Sequence, residues 1–355
     1  MSNRVTANLP DKIRIPAEWE PHACCWMSWA LRRGWGSTIN KVKRELRTVI
    51  RTIAKYEPVR VLAPRGAGLR EARREFAGCV NIDVVEAPID DIWMRDIAPT
   101  FAIKGSGKNR QVVAVDWNFN GWGGTEKVVR GAGRAADIIA GVAGVKCVRA
   151  NFKAEGGALI FDGRDTAITT RSCLLNPNRN PIAPGCDRQK MIENDLRRFG
   201  VRHMCWLEGD PSEPVTSGHV DGYVLLSPTG MALVECIDDP DVEEPMWRDH
   251  DVEVLRSSDG SSRQGRKIVR VAAPRFRYWK KKSDLFAPAY LNAYVANGAV
   301  IGAKFGDPSR DRAAKAALKK AFPGRDIVLL NINHLAEGGG GIHCLTQSMP
   351  AMDFS

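Results

Sequence analysis

Cys344 ends the stretch EGGGGIHC, in which four glycines at residues 338–341 run up to Ile342, His343 and the thiol. Glycine lets the backbone take positive φ or lets a ligand come close. A thiol held there is accessible, and an accessible thiol with thiolate character is a nucleophile. The ordinary role of a cysteine is that of a small buried hydrophobe, so the thiol needs partners. His343 is a poor base for it, because neighbours on a strand point to opposite faces. TSGHVDGY, residues 216–223, offers a better one: if this segment is extended, His219 and Asp221 project from the same face and bring an imidazole and a carboxylate into one pocket. Two further acidic stretches lie beside glycines or turns. DDIWMRDIAPT carries Trp93, Arg95 and Asp96, and AEGGALIFDG carries Glu155. Singly, a histidine near an acid reads as a surface pair and an acid in a turn reads as a cap. Together, a thiol, an imidazole and three acids describe a pocket that is anionic apart from its histidine. Such a pocket suits a cationic, planar, fork-shaped group, because the five donors of a guanidinium are accepted in pairs by carboxylates.

Short strands alternating with single helices must position these residues. Val42, Leu46, Val49, Ile50 and Ile53 mark one face of a helix that starts after Ser37 or Thr38. Strands are expected over 59–63, 81–87, 111–119, 157–163, 165–170, 222–227, 231–236, 267–274, 297–306 and 326–332. Further helices are expected over 126–143, 187–199 and 311–322. No Pro/Gly/Ser linker divides the chain and no fixed-period repeat is visible. The pattern suits several small ββα-type units around one centre, in one catalytic domain over residues 1–355 with the first 15 or so as a flexible arm.

Composition narrows the class. Apolar residues make up 44% and charged residues 26%, as in an ordinary soluble globular protein. The nine cysteines are irregularly spaced without a CxxC pair, which speaks against a structural zinc site, a thioredoxin-type motif or a disulfide framework. No apolar run suits a signal peptide or a membrane span, and the expectation is a reduced, cytoplasmic protein. The net charge of +11 raises a different class of reading, a basic nucleic-acid-binding protein on a catalytically silent scaffold. The densest basic run, RFRYWKKKSD at 275–284, comes without a nucleic-acid motif and reads better as a solvated loop.

Seven stretches carry a resemblance: PAEWEPHACCWMSW, DIWMRDIAPTF, NFNGWGG, EGGALIFDGRDTAITTRSCLLNPNRNP, GHVDG, AYLNAYVANGAVI and GGGGIHCLTQ. In that order, from about Pro16 to the C-terminus, they resemble the motifs of agmatine deiminases in the porphyromonas-type peptidylarginine deiminase branch of the guanidine-modifying enzymes. The resemblance implies a five-bladed α/β-propeller of ββαβ units about a pseudo-fivefold axis. It makes Cys344 the nucleophile, His219 the general acid/base and Glu155 a participant in proton transfer or substrate contact. Asp96 and Asp221 grip the guanidinium, and Trp93 lines the pocket beside it. It implies a small cationic guanidino substrate and no metal or organic cofactor, with free arginine, peptidyl-arginine or another guanidino compound as alternatives to agmatine. Assembly into a homo-oligomer stays open. Ala98, Ser217, Gly222 and Gly341 depart from the family pattern and are expected around the substrate pocket, with the glycines before Cys344 giving the substrate room.

Overall fold

The computed structural model of the chain describes residues 13–31, 33–126, 131–258, 265–280 and 282–352. Its strands form five mixed sheets, and each has the same kernel: an antiparallel pair, then a parallel neighbour reached through a helix. In one, Val224–Leu226 pairs antiparallel with Met231–Cys236, which pairs parallel with Lys267–Ala272 after the helix Met246–Ser257. The same order recurs with Thr100–Lys104, Gln111–Asp116, the helix Ala135–Ala143 and Lys146–Arg149. It recurs with Ile160–Phe161, Thr166–Thr170, the helix Arg188–Leu196 and His203–Leu207, and with Tyr294–Ala296, Ala299–Lys304, the helix Pro308–Ala321 and Asp326–Asn331. The fifth unit joins the two ends of the chain. Gln347–Pro350 supplies its first strand against His22–Ser28, which continues through the helix Ile39–Ile53 to Val59–Ala63 and Ile82–Glu86. A parallel neighbour requires a crossover, and a single helix is its usual form.

The helices form where local chemistry starts them. Asp187 and Asp307 each accept a backbone N–H three residues on, from Lys190 and Arg310, and Pro308 takes the first helical position. The helix Ile39–Ile53 buries the stripe Val42, Leu46, Val49, Ile50 and Ile53, which packs with Val59, Val61, Ile301 and Leu318 in one core cluster. Each such aliphatic side chain, fully buried, contributes about 1.5–3 kcal/mol.

The expected elements differ from the observed ones in places. The helix expected over 126–143 is shorter: Ala132–Arg134 is a single turn, the helix proper is Ala135–Ala143, and residues 127–130 lie outside the described residues. The strand expected over 111–119 ends at Asp116, because Asn118 takes φ +59°. His22–Ser28 was not expected as a strand: it is buried along nearly its whole length and so lacks the alternation of a half-exposed strand. Ile13–Arg14 pairs with Ile103–Lys104 and Ile15 is buried, so the chain is built into the fold from residue 13. Residues 1–12 of the expected arm lie outside the described residues.

Candidate active site

The turn that leads into the first strand of each unit supplies the site. Met94–Ile97 precedes Thr100–Lys104 and carries Asp96. Gly156–Ala158, next to Glu155, precedes Ile160–Phe161. Val220–Gly222 precedes Val224–Leu226, flanked by His219 and containing Asp221. Asn292 lies just before Tyr294–Ala296, and His343–Leu345, with Cys344 at its middle, precedes Gln347–Pro350. Five separate sheets thus bring one short turn each to a common point.

Hydrogen bonds tie these turns together. His219 Nε2 lies 3.0 Å from Glu155 Oε2, while its Nδ1 is 3.8 Å from Asp96 and 3.9 Å from Asp221. Asp96 accepts from Trp122 Nε1 at 2.9 Å and from the Gly157 N–H at 3.1 Å. Cys344 Sγ is 3.2 Å from Asn292 Nδ2 and 3.8 Å from Asp221 Oδ2. The expectation that His219 and Asp221 share a face holds, but through a tight turn rather than an extended strand. The His343 ring is likewise committed elsewhere: its Nδ1 meets Asp221 at 2.8 Å and its Nε2 meets Glu18 at 2.6 Å. Glu18 in turn pairs with Arg95 at 2.9 Å, so Arg95 and His343 brace Asp221.

The charges follow from these contacts. Burial pushes the His219 imidazolium down, but Asp96 and Glu155 outweigh it and hold the pKa well above the usual value. Burial would raise Glu155, yet His219 and Arg179 hold it low; Arg179 Nε reaches both its oxygens at 3.0 and 3.2 Å. Asp221 also falls, since His343 overcomes its burial. Asp96 goes the other way, pushed up to about 6 by burial against the pull of His219. Burial, then Asp221 and Asp96, raise the Cys344 thiol well above its ordinary range. Without a cation in the site, Cys344 is therefore held as a thiol.

Glu155, Cys173 and His219 have metal-ligand atoms within 4.8 Å of one another. The Arg179 guanidinium on both oxygens of Glu155 already supplies the positive charge there.

The four glycines before Cys344 line the cavity in front of it, and they also serve the packing of the turn. A Cβ on Gly338 would meet the Trp35 ring at 2.1 Å, one on Gly340 the Trp93 ring at 2.5 Å, and one on Gly341 the Asn292 side chain at 2.5 Å. They let two tryptophans and Asn292 close on the turn, and only Gly339 takes positive φ (+91°). Trp93 stands against Trp35 at 6.5 Å and lines the cavity in front of Cys344. That cavity has a volume of about 390 Å³, in the usual range for small-molecule sites. Gly222 and Gly341 line it as expected, whereas Ala98 is buried among core side chains and Ser217 accepts from Arg179 at 3.3 Å. Of the basic run at 275–284, Arg275 pairs with Asp307 and Lys282 with Glu337, while Trp279 lines the cavity; Lys281 lies outside the described residues.

Asn292, Trp122 and Arg179 carry contacts that sequence reasoning assigned to no role, although each lies within one of the resembling stretches. Known proteins match along nearly the whole chain. The chain is 34% identical to an agmatine deiminase of Pseudomonas aeruginosa, over 99% of both chains. It is 31% identical to an agmatine deiminase of Medicago truncatula, over 96% of this chain and 97% of that one. A solved agmatine deiminase of Enterococcus faecalis superposes with a TM-score of 0.85 at 25% identity, covering 99% of this chain and 100% of the other. The family model for Porphyromonas-type peptidyl-arginine deiminase matches residues 14–350, and the chain belongs to that family.

Proposed function

We propose that the protein is an agmatine deiminase, a hydrolase that converts agmatine and water to N-carbamoylputrescine and ammonia through a covalent Cys344 adduct. The observation that carries this reading is the convergence of Cys344, His219, Asp96 and Asp221, from three separate units, on one cavity, with Glu155 of a fourth unit behind His219. The substrate guanidinium lies between Asp96 and Asp221, whose carboxylates hold it flat by charge-assisted hydrogen bonds. Its positive charge offsets the Asp96 and Asp221 charges that help keep Cys344 protonated, so the thiol gives its proton to solvent and the thiolate forms as the substrate binds. The thiolate adds to the guanidinium carbon, and the C–N bond to one terminal nitrogen breaks as the His219 imidazolium gives that nitrogen a proton, releasing ammonia. The neutral His219 then takes a proton from water, whose oxygen attacks the thiouronium carbon. The C–S bond breaks, the added oxygen gives its remaining proton to the Cys344 sulfur, and the ureido product leaves. Glu155, held by Arg179, keeps His219 oriented and cationic at the start of each cycle.

Five kernels of one order, each presenting its leading turn to the centre, support a five-bladed α/β-propeller about a pseudo-fivefold axis, in a single catalytic domain. Nine free thiols, Cys344 among them, suit a reducing cytoplasm. Among the described residues no helix is long and apolar enough to cross a membrane.

One feature favours testing free arginine as well. Arg248 lines the cavity, held 4.4 Å from the Trp247 ring and 4.6 Å from that of Tyr223, where it could meet a substrate carboxylate. The deciding experiment assays ammonia and ureido product with agmatine, free arginine and blocked arginine. Turnover of agmatine with the highest kcat/KM is expected. Preference for another member of the panel would overturn the substrate, and no ammonia from any of them would overturn deimination.

A further inference from the structure

The strand Met231–Cys236 is buried along its whole length, and Glu235 is its one charged residue. A carboxylate carried into an apolar strand is costly unless it is hydrogen-bonded. Burial pushes Glu235 up to about 7, against the pull of two backbone N–H groups. Its Oε1 accepts from the Tyr290 N–H at 3.0 Å and its Oε2 from the Leu291 N–H at 2.9 Å. Glu235 belongs to the unit that holds His219 and Asp221, whereas Tyr290 and Leu291 lead into the next unit at Tyr294–Ala296. One carboxylate thus spans two units and closes on the two successive N–H groups before Asn292. Tyr290 and Leu291 are themselves buried, so a lost acceptor is made good only if the segment moves.

Asn292 is where that segment meets the thiol. Its Nδ2 lies 3.2 Å from Cys344 Sγ, 3.2 Å from the Asp221 carbonyl and 3.3 Å from Asp221 Oδ2. Its Oδ1 accepts from the Cys344 N–H at 3.3 Å, and its carbonyl accepts from the His343 N–H at 3.2 Å. These contacts fix the amide, since a half-turn would set oxygen against the Asp221 carbonyl and NH2 against the Cys344 N–H. The NH2 is therefore the end aimed at the sulfur. Burial raises the Cys344 thiol, and the Asn292 donor is among the groups that pull it back toward the thiolate.

We propose that Glu235 is a positioning residue for the reaction: by clamping the Tyr290 and Leu291 N–H groups it sets the Asn292 amide against Cys344 Sγ. This rests on Cys344 as the nucleophile of the deimination proposed above. Glu235→Gln keeps the size and one acceptor but turns an NH2 toward the other N–H, so the clamp opens on one side. Alkylation of Cys344 by iodoacetamide at about pH 8 should slow about threefold to tenfold as the Asn292 donor moves off the sulfur. The kcat for agmatine should fall by a similar factor, with KM changed less than about twofold. Hydrogen exchange in a peptide spanning residues 288–292 should quicken. The deciding measurement is a double variant. In an Asn292→Ala background, Glu235→Gln should change the alkylation rate by less than about 1.5-fold, because its effect travels through that amide. Asp195→Asn removes another buried acid that accepts a backbone N–H, from Asn151 at 2.6 Å, and should leave alkylation as in the wild type. Should the glutamine variant not fold, Glu235→Asp gives the same reading, since it keeps both acceptors but withdraws them by one methylene. Alkylation of the Glu235 variant at the wild-type rate, the same slowing in both backgrounds, or an equal slowing in Asp195→Asn overturns the proposal. Alkylation and exchange need no substrate. Failure of the clamp is therefore distinguishable from failure of the deiminase reading, which shows as no ammonia from any guanidine.

Discussion

Asp221→Asn should make Cys344 more reactive and the enzyme worse. Asp221 Oδ2 lies 3.8 Å from Cys344 Sγ and is one of the groups that raise the thiol pKa. At that separation, with an effective dielectric constant near 20, a unit charge is worth about 4 kcal/mol. Cys344 is only half-buried, so solvent screening reduces this. The sign is fixed: removing a negative charge favours the thiolate. His343 keeps its Glu18 partner in the variant and so stays braced. The assay is the pH dependence of alkylation by iodoacetamide, a neutral reagent, followed by mass spectrometry of the Cys344 peptide. Alkylation at about pH 8 should quicken roughly tenfold or more. Meanwhile kcat/KM for agmatine should fall tenfold to a hundredfold or beyond, since a charge-assisted hydrogen bond to the guanidinium is worth about 1.5–3 kcal/mol. An unchanged or higher thiol pKa would refute the electrostatic account, and with it the idea that substrate charge generates the thiolate.

Other variants address other parts of the machinery. Cys344→Ala should leave Tm near that of the wild type and abolish turnover; a tenth of wild-type kcat would rule out covalent catalysis by this thiol. Asp96 must be ionised to grip the cation and has a pKa near 6, so kcat/KM should fall as pH drops through about 6; Asp96→Asn should lower kcat/KM and remove that acid limb, and a limb that persists would belong to another group. Gly157→Ala puts a Cβ 2.7 Å from His219 Nδ1, 2.9 Å from Asp96 Oδ1 and 3.0 Å from Asp221 Oδ2, so kcat should drop by about a hundredfold through displacement of these side chains. Near-normal kinetics for that variant would show that the three groups need not converge there.

The residues proposed to react were legible in the sequence because their chemistry is written in residue type: a thiol, an imidazole and carboxylates beside glycines. The residues that position them were not. Asn292 carries no charge and touches Cys344 across 52 residues of chain, so neither composition nor local spacing points to it. Glu18 meets His343 across 325 residues, a contact made only when the fifth unit joins the chain's two ends. His343 was set aside as a base for Cys344 by a strand rule, and it does not contact that thiol, yet the segment is a turn and the ring braces Asp221. The glycines were read as room for a ligand and do line the cavity, but a Cβ on three of the four would also strike Trp35, Trp93 or Asn292. Amphipathic helices and short apolar strands were visible by their periods. Strands buried along their length, such as His22–Ser28, were harder to see because burial on both faces erases alternation.

The net charge of +11 and an anionic active site coexist because they act over different distances. Among the described residues that line the catalytic cavity, nine are aspartate or glutamate, and Arg248 is the one lysine or arginine. Several prominent basic residues lie elsewhere and are already compensated: Arg275 by Asp307, Lys43 by Glu71, Arg149 by Asp116. Beyond about 8–10 Å, exposed charges are largely screened at ordinary salt, whereas charges lining a low-dielectric cleft focus their field into it. A cation at the cavity mouth is therefore governed by the lining acids rather than by the total charge. The same separation explains why a positive protein can hold the Cys344 thiol protonated: burial, then Asp221 and Asp96, raise it, and in the proposed reaction the substrate guanidinium is the charge that offsets the two acids.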